Sequence, residues 1–451
     1  MINTKSLLIL AYPKIDHEKD YVYFWMPFSL LTVAKELVDQ GQIDVMIFDG
    51  NQRSADDWMG LLRSERDRLL FIGFSIMTGG GQIGHALDLA RLARVHCGNV
   101  PLVFGGPHVS VLPEQTIEHE LVDIAIAGPG QNSIASLVDA LQGRRDLATV
   151  PGLIAKTASG GLIRGPGNPP KTGVLGQYPW HLLDVQSYIR DDPTVATRTL
   201  NYVSSQGCAY RCRFCYEQMY NRKWSAQEAD ALMCDVETLV KRYQLNGMKF
   251  YDADWFINLR RVDEICLRLM TMDTPIRWAA SINPNDVLRA RKQSPQLLHN
   301  VARSGCSRLL MGVESGSDRV LRDIVKKDVT RDAIMSVAKE IADHGILGSY
   351  TFIVGFPGET DAEVDETYRL LDWLRTLSPV PETRVHLFAP YPGTPLFDDA
   401  VKSGFEPPRT LQAWSNYDYY DNQTPWTSKS TVERARSNTH MTKPRASGKA
   451  A

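Results

Sequence analysis

Three cysteines, Cys208, Cys212 and Cys215, stand four and three residues apart in the run Cys-Ala-Tyr-Arg-Cys-Arg-Phe-Cys. Thiols at those steps can converge on one compact site. Thiolates are the ligands of iron–sulfur clusters, and a four-iron cluster of complete coordination takes four of them. Three leave one iron with an open position, of the kind that catalytic metal centres keep. A structural zinc ion is the alternative, with its fourth ligand drawn from elsewhere, yet no second Cys-x-x-Cys and no nearby histidine offers one. Cys97, Cys234, Cys266 and Cys306 lie apart from the trio, and Cys234 and Cys266 fall in helical patterns where a thiol is a small core residue. Seven cysteines, an odd number scattered through a long chain, do not make a secreted disulfide framework.

The elements that must hold these thiols are legible in the hydrophobic pattern. Strands are predicted at Leu200–Ser204, Met248–Asp252, Ile276–Ser281, Arg308–Val313, Ser349–Val354 and Arg384–Phe388, with helical patterns between them, such as Ala231–Tyr243. Six strand–helix units over 199–400 predict a partial (β/α)6 TIM-like barrel, whose chemistry belongs at the C-terminal ends of its strands. The cysteines follow the first of those ends. Later ends carry Asp252 and Asp254, then Ser281, then Glu314 and Ser315, then Gly355 and Phe356.

An earlier region, 1–150, alternates strands at Leu7–Ala11, Asp44–Phe48, Leu70–Ser75, Leu102–Phe104 and Ile124–Ala127 with amphipathic segments. Links too long for hairpins imply parallel pairing, hence an α/β fold with a flavodoxin-like doubly wound parallel sheet ahead of the barrel. Its strand ends read Tyr12-Pro13, Met77-Thr78-Gly79-Gly80-Gly81, Gly105-Gly106-Pro107-His108 and Gly128-Pro129-Gly130. Singly these are ordinary turns; together they favour an edge where backbone approaches a large flat ligand. His108 either reaches such a ligand or bonds its own loop. Residues 151–198, with Gly165-Pro166-Gly167-Asn168, read as a linker, and 401–451 as a short extension with a disordered tail from Thr427. The aromatic cluster Trp414, Tyr417, Tyr419, Tyr420 and Trp426 would cover the cavity mouth or pack against the barrel, and the run Tyr21, Tyr23, Phe24 and Trp25, on the loop after the first strand, would reach the cofactor or substrate.

The triplet after a strand, with aromatic Phe214 before its last cysteine, resembles the radical S-adenosylmethionine superfamily over roughly residues 195–400. The resemblance implies a 4Fe-4S cluster on Cys208, Cys212 and Cys215, with the methionine moiety of S-adenosylmethionine chelated by the open iron. It implies further cofactor contacts from Phe214, Asp252, Asp254, Ser281, Glu314, Ser315, Gly355 and Phe356. The region before it resembles the cobalamin-binding domain of a large subgroup of these enzymes, on Leu31–Leu37, Val103–His108 and Pro113-Glu114. That implies cobalamin against Thr78, Gly79, Gly105, Gly106, His108, Gly128 and Gly130. The chain departs from that subgroup at Gly128-Pro129-Gly130-Gln131, where Gly-Glu-Gly-Glu is usual, and has no Asp-x-His-x-x-Gly; Asp16-His17 lacks the spacing.

With 451 residues, two or three domains are expected. Fifty Lys and Arg against 52 Asp and Glu leave a net charge of -2, which gives nucleic acid no electrostatic hold on the whole molecule. No apolar stretch nears the ~20 residues of a membrane helix, so a cytoplasmic location is expected. By resemblance, one electron from a donor such as flavodoxin or ferredoxin would cleave S-adenosylmethionine to an adenosyl radical, and methylcobalamin would supply a methyl group. C-methylation of an unactivated carbon of a small molecule is the expectation. Radical rearrangement, cyclisation or oxidation without methyl transfer is the alternative, and a cobalamin-binding sensor or carrier is the non-enzymatic one. A transfer-RNA methylthiotransferase is disfavoured, since the basic RNA-binding module usual in that family is missing.

Overall fold

The computed structural model describes residues 5–15, 25–171, 173, 175–378, 380, 382–417 and 424–439, with the backbone of 445–446. Asp16, His17, Tyr21, Tyr23, Phe24, Tyr419 and Tyr420 lie outside them. The chain divides into two compact units. The first comprises the chain up to Pro170 with Tyr178–Ser187 and a returning segment that begins at Glu406; the second is built on Tyr188–Phe405.

In the first unit, β1 (Leu7–Tyr12), β2 (Asp44–Asp49), β3 (Leu69–Ser75), β4 (Leu102–Gly105) and β5 (Ile124–Ile126) pair in parallel in the order β2-β1-β3-β4-β5. This is the expected flavodoxin-like order. The reason is compositional. Leu7 to Ala11 is buried without a break, as a strand covered by helices on both faces must be. Between sheet and helices, Phe48, Trp58, Phe74 and Phe104 pack ring against ring. The predicted linker does not stay a linker. β6 (Leu153–Lys156) and β7 (Leu162–Arg164) extend the same sheet as antiparallel strands. The Asn168 side chain then donates to the Ala127 and Pro129 carbonyls and to Ser133. Its Gly/Pro-rich composition marked turns correctly but hid the short strands between them.

In the second unit, β8 (Arg190–Asp191) edges six parallel strands: β9 (Thr199–Tyr202), β12 (Gly247–Phe250), β13 (Arg277–Ile282), β14 (Cys306–Glu314), β15 (Leu347–Val354) and β16 (Glu382–Leu387). The small pair β10 (Ser205–Gly207) and β11 (Trp224–Ala226) stands apart. These six strands are the six expected units of the partial barrel. Along each, the residues facing the helices are buried, as in Tyr202, Phe250, Met311 and Phe352. On the other face Thr199, Arg308, Ser349 and Glu382 are buried, whereas Asn201, Ser281, Leu310 and Thr351 keep partial exposure. Capping sets the helix starts: Thr360 and Glu363 make a reciprocal capping box at Asp361–Arg375, and Asn283 and Asp286 another at Pro284–Gln293.

The expected disordered tail is helical at its start. Helix Lys429–Ser437 is capped by Ser428, buries Val432 and Ala435, and lays Arg434 over the Tyr368 ring at 4.0 Å with Asp365 as ion partner. The polar composition concealed an apolar face only two residues wide.

Candidate functional site

The cysteine loop runs from the end of β10 into β11, and several bonds fix its path. Arg213 N donates to Val325 O, Leu396 N to Arg213 O, and the Arg213 guanidinium pairs with Asp399. Cys215 N donates to Cys212 O at 3.1 Å, closing the turn of the Cys-x-x-Cys step. All three thiols are free. Burial raises each above the ordinary thiol range, Cys215 to about 12, and each of Cys208 and Cys215 feels its neighbours' charge as well. Three half-buried thiols with raised pKa values ionise together only when a cation shares their charge, and an iron–sulfur cluster is what that donor set suits. Among the described residues no three His, Cys, Asp or Glu side chains gather tightly enough to hold a single metal ion. Phe214 packs on Phe356 at 6.1 Å.

Tyr210, inside the triplet, donates to Asp286 at 2.6 Å, and Asp286 also accepts from Arg289 at 2.7 Å. The cysteine loop is thereby tied to the capping box of helix Pro284–Gln293. Neither Tyr210 nor Asp286 is a candidate from sequence, because a generic tyrosine and a helix cap carry no chemical signature until they meet.

At the end of β12 the two aspartates part company. Asp252 accepts from the Ser204 backbone and hydroxyl, both at 2.6 Å, and Arg261 holds the same hydroxyl. Asp252 braces β9 against β12. Asp254 takes the Phe256 amide on one oxygen, while the other is buried without a partner. Burial and the adjacent Asp286 push its carboxyl well above the usual range. Of the two, Asp254 is the one with an oxygen to offer a bound amine.

A register shift near the end of β14 turns Glu314 into the left-handed region, φ 68°, and toward Lys327. The Lys327 ammonium donates to Glu314 at 2.9 Å, with side chains only 5% and 8% exposed. Burial works against the Lys327 charge, but Glu314, Cys212 and Cys215 outweigh it and keep the ammonium protonated. Lys327 is thus within electrostatic reach of Cys212 and Cys215, a cation the sequence reading missed in an unpatterned Lys-Lys-Asp turn.

The remaining candidates serve their own turns. Ser315 bonds Thr367, and Ser281 sits half-buried on β13. Gly355 and Phe356 donate their amides to Glu359, and Gly355 O accepts from the Trp426 indole.

In the first unit the loops after β3 and β4 interlock. Ile76 N donates to Gly105 O and His108 N to Ile76 O. A Cβ on Gly106, at φ 94°, would lie 2.8 Å from Ile76 O, so only glycine allows that approach. His108 is fully buried, with both ring nitrogens unpartnered, and burial pushes it down to about 4. It does not bond its own loop; it meets Trp414 edge-on at 5.8 Å. Thr78 Oγ1 and Trp414 Nε1 are likewise buried without partners, and Gly80 N donates to Trp414 O. Orphaned polar atoms beside Gly79, Gly105 and Gly106 suit a ligand rimmed by amides, as cobalamin is. Gly128 donates its amide to the Ser110 hydroxyl at 3.0 Å. Its Cβ position lies 2.3 Å from Asn168 O, and Gly130 rests on Val33.

The predicted aromatic cluster divides between the units. Trp414 and Tyr417 pack together in the first, whereas Trp426 bonds Gly355 in the second.

Two family models match this chain: the B12 binding domain over residues 20–138 and the radical SAM superfamily over 202–371. An uncharacterized methyltransferase of Pyrococcus horikoshii is 28% identical over 70% of this chain and 66% of its own length. The anaerobic magnesium-protoporphyrin IX monomethyl ester cyclase of Rubrivivax gelatinosus is 24% identical over 83% of this chain and 66% of its own length. The chain thus spans about two thirds of these curated relatives. Among solved structures, the radical S-adenosylmethionine methyltransferase TsrM of Kitasatospora setae superposes with a TM-score of 0.69 at 18% identity, covering 94% of this chain and 84% of that one. The cobalamin-dependent S-adenosylmethionine radical enzyme OxsB gives 0.75 at 15% identity, covering 96% and 66%. At such identities the likeness is one of fold.

Proposed function

The protein belongs to the cobalamin-dependent radical S-adenosylmethionine enzymes, its chain joining a B12-binding domain to a radical SAM domain, and from that premise we propose that it methylates an unactivated carbon of a small molecule. The observation that carries the reading is the cysteine loop: three half-buried free thiols, with a buried ammonium and an acid with an unsatisfied oxygen in the same unit.

Bound there, the cluster with S-adenosylmethionine supplies one-electron chemistry able to break an unactivated C–H bond, and cobalamin a transferable methyl group. The protein's share is placement. Cys208, Cys212 and Cys215 would hold the cluster, with Tyr210–Asp286–Arg289 fixing the loop that carries them. Asp254 would receive the methionine amino group, and the Glu314–Lys327 pair would stand beside the thiols as a fixed dipole. Thr78, Gly79, Gly105, Gly106 and His108 would seat cobalamin. A one-electron donor of the flavodoxin or ferredoxin kind is part of the proposal.

The name of the Rubrivivax relative, a cyclase, favours the second reading, a radical cyclisation without methyl transfer. Isotope tracing decides. Enzyme reconstituted anaerobically with iron, sulfide and cobalamin is given S-adenosylmethionine labelled in its methyl group. Label in the product supports methylation; turnover with no label in the product supports the cyclase-like reading.

A further inference from the structure

Among the described residues six positions other than glycine take a positive φ, and three of them, Glu314 (68°), Lys326 (58°) and Asp328 (56°), gather around one side chain, Lys327. Backbone of that kind is strained and persists only where its surroundings enforce it. A π-helical turn, Val320–Val325, leads into the same bend; that form is rare and frequent at functional sites. Lys327 itself is held firmly. Its amide donates to Leu321 O at 2.9 Å, and its carbonyl accepts from Asn285 Nδ2 at 3.1 Å. Its ammonium, 2.9 Å from Glu314 Oε1, lies against β14 where Gly312 has no side chain. A Cβ there would stand 2.3 Å from Glu314 Oε1 and 3.2 Å from Lys327 Nζ.

This bend is fastened to the cysteine loop on both sides of Cys212. Arg213 N donates to Val325 O at 2.9 Å. The Arg211 guanidinium grips both oxygens of Asp328, with Nε at 3.0 Å and Nη2 at 3.1 Å. The two fastenings keep Lys327 close to Cys212. At Cys212 the pull of the ammonium outweighs the push of Glu314, while at Cys215 Glu314 pushes too. Asp254 also feels the ammonium, but burial and Asp286 keep its carboxyl well above the usual range, so it adds little negative charge.

We propose that Lys327 is a positioning residue whose fixed charge, held beside Cys212, raises the reduction potential of the cluster seated on the three thiols. This deepens the functional reading above and rests on it. A cluster's potential follows the net charge and solvent access around it. One electron taken from the donor adds negative charge at the thiolates. An ammonium closed off from water stabilises that state far more than a solvated cation does. Glu314 cancels part of the effect and keeps the buried ammonium protonated.

The test uses the full chain reconstituted anaerobically with iron, sulfide and cobalamin, without S-adenosylmethionine. A redox titration follows the reduced cluster by low-temperature electron paramagnetic resonance. Lys327→Met removes the charge with little change in length. It should lower the potential by at least a tenfold change in the one-electron equilibrium, about 59 mV. The double variant Glu314→Gln, Lys327→Met leaves neither charge behind, and its potential should fall in the same direction by less. Arg211→Gln loosens the fastening but keeps the buried charge; its exposed pair is screened, so a shift of less than about threefold is expected. A potential unchanged or raised in either Lys327 variant would overturn the proposal, as would a fall in Arg211→Gln equal to theirs. Should Lys327→Met fail to fold, the double variant set against Arg211→Gln decides. Iron content is measured on each preparation. A parent chain that binds no cluster counts against the functional reading, whereas the potentials of loaded variants speak to Lys327 alone.

Discussion

Lys327 and Glu314 pose the sharpest energetic question at single positions. Two opposite charges at 2.9 Å, nearly closed to water, are stabilised only while both are present. Lys327→Ala would strand the Glu314 carboxylate, and a loss of about 3–5 kcal/mol is expected. The double variant Glu314→Gln, Lys327→Met should cost clearly less than the sum of the single changes, because neither partner is then left charged and alone. Urea unfolding of the three variants measures both expectations. A single-variant cost below about 1 kcal/mol would mean that water reaches the pair. Cofactor loading of the double variant then reports what the ammonium does for the thiols, apart from holding the fold.

Among the elements, the turn from Gly355 to Thr360 has a built-in pH response. Burial raises the Glu359 carboxyl to about 7 although it accepts two backbone amides, against an ordinary value near 4.5. A carboxyl raised in the folded state binds its proton more tightly there than in the unfolded chain. Its contribution is therefore complete at low pH and declines as pH rises from about 4.5 through about 7. Glu359→Gln keeps an acceptor oxygen without the titration. Thermal midpoints at pH 5 and pH 7.5 should differ less in this variant than in the parent; an unchanged difference would place the titrating group elsewhere. The Gly106 turn responds to shape instead. Gly106→Val meets both a positive φ and the Ile76 carbonyl, so the interlock of the β3 and β4 loops should open.

For the molecule as a whole, the two cofactor seats draw on different units, which makes their losses separable. Changing Cys208, Cys212 and Cys215 together to Ala should abolish iron binding while leaving corrinoid uptake intact. Gly106→Val should do the reverse, weakening cobalamin uptake with iron content unchanged. Iron analysis and optical spectra on the anaerobically reconstituted variants provide the readout. Iron that survives the triple change would refute the ligand assignment. Parallel loss of both cofactors in either variant would show that neither seat forms without the other.

Much of this was legible along the chain. Cluster-binding thiols must sit close together, so their spacing is local, and the strands of both sheets announce themselves by unbroken or alternating apolar runs between helical periods. The order of strand ends bearing Asp252, Ser281, Glu314 and Gly355 follows from the same alternation. Contacts that join distant positions leave no such trace. Tyr210 meets Asp286 across 76 residues, Asn168 closes on the β5 turn, and Lys327 is merely one of two adjacent lysines until a left-handed Glu314 turns to it. Whether Asp252 or Asp254 keeps an oxygen to offer depends on Ser204, 48 residues from Asp252. Local spacing encodes which chemistry is present; the partners that tune, brace or expose each group are chosen by folding, because burial and charge pairing act through space rather than along the backbone.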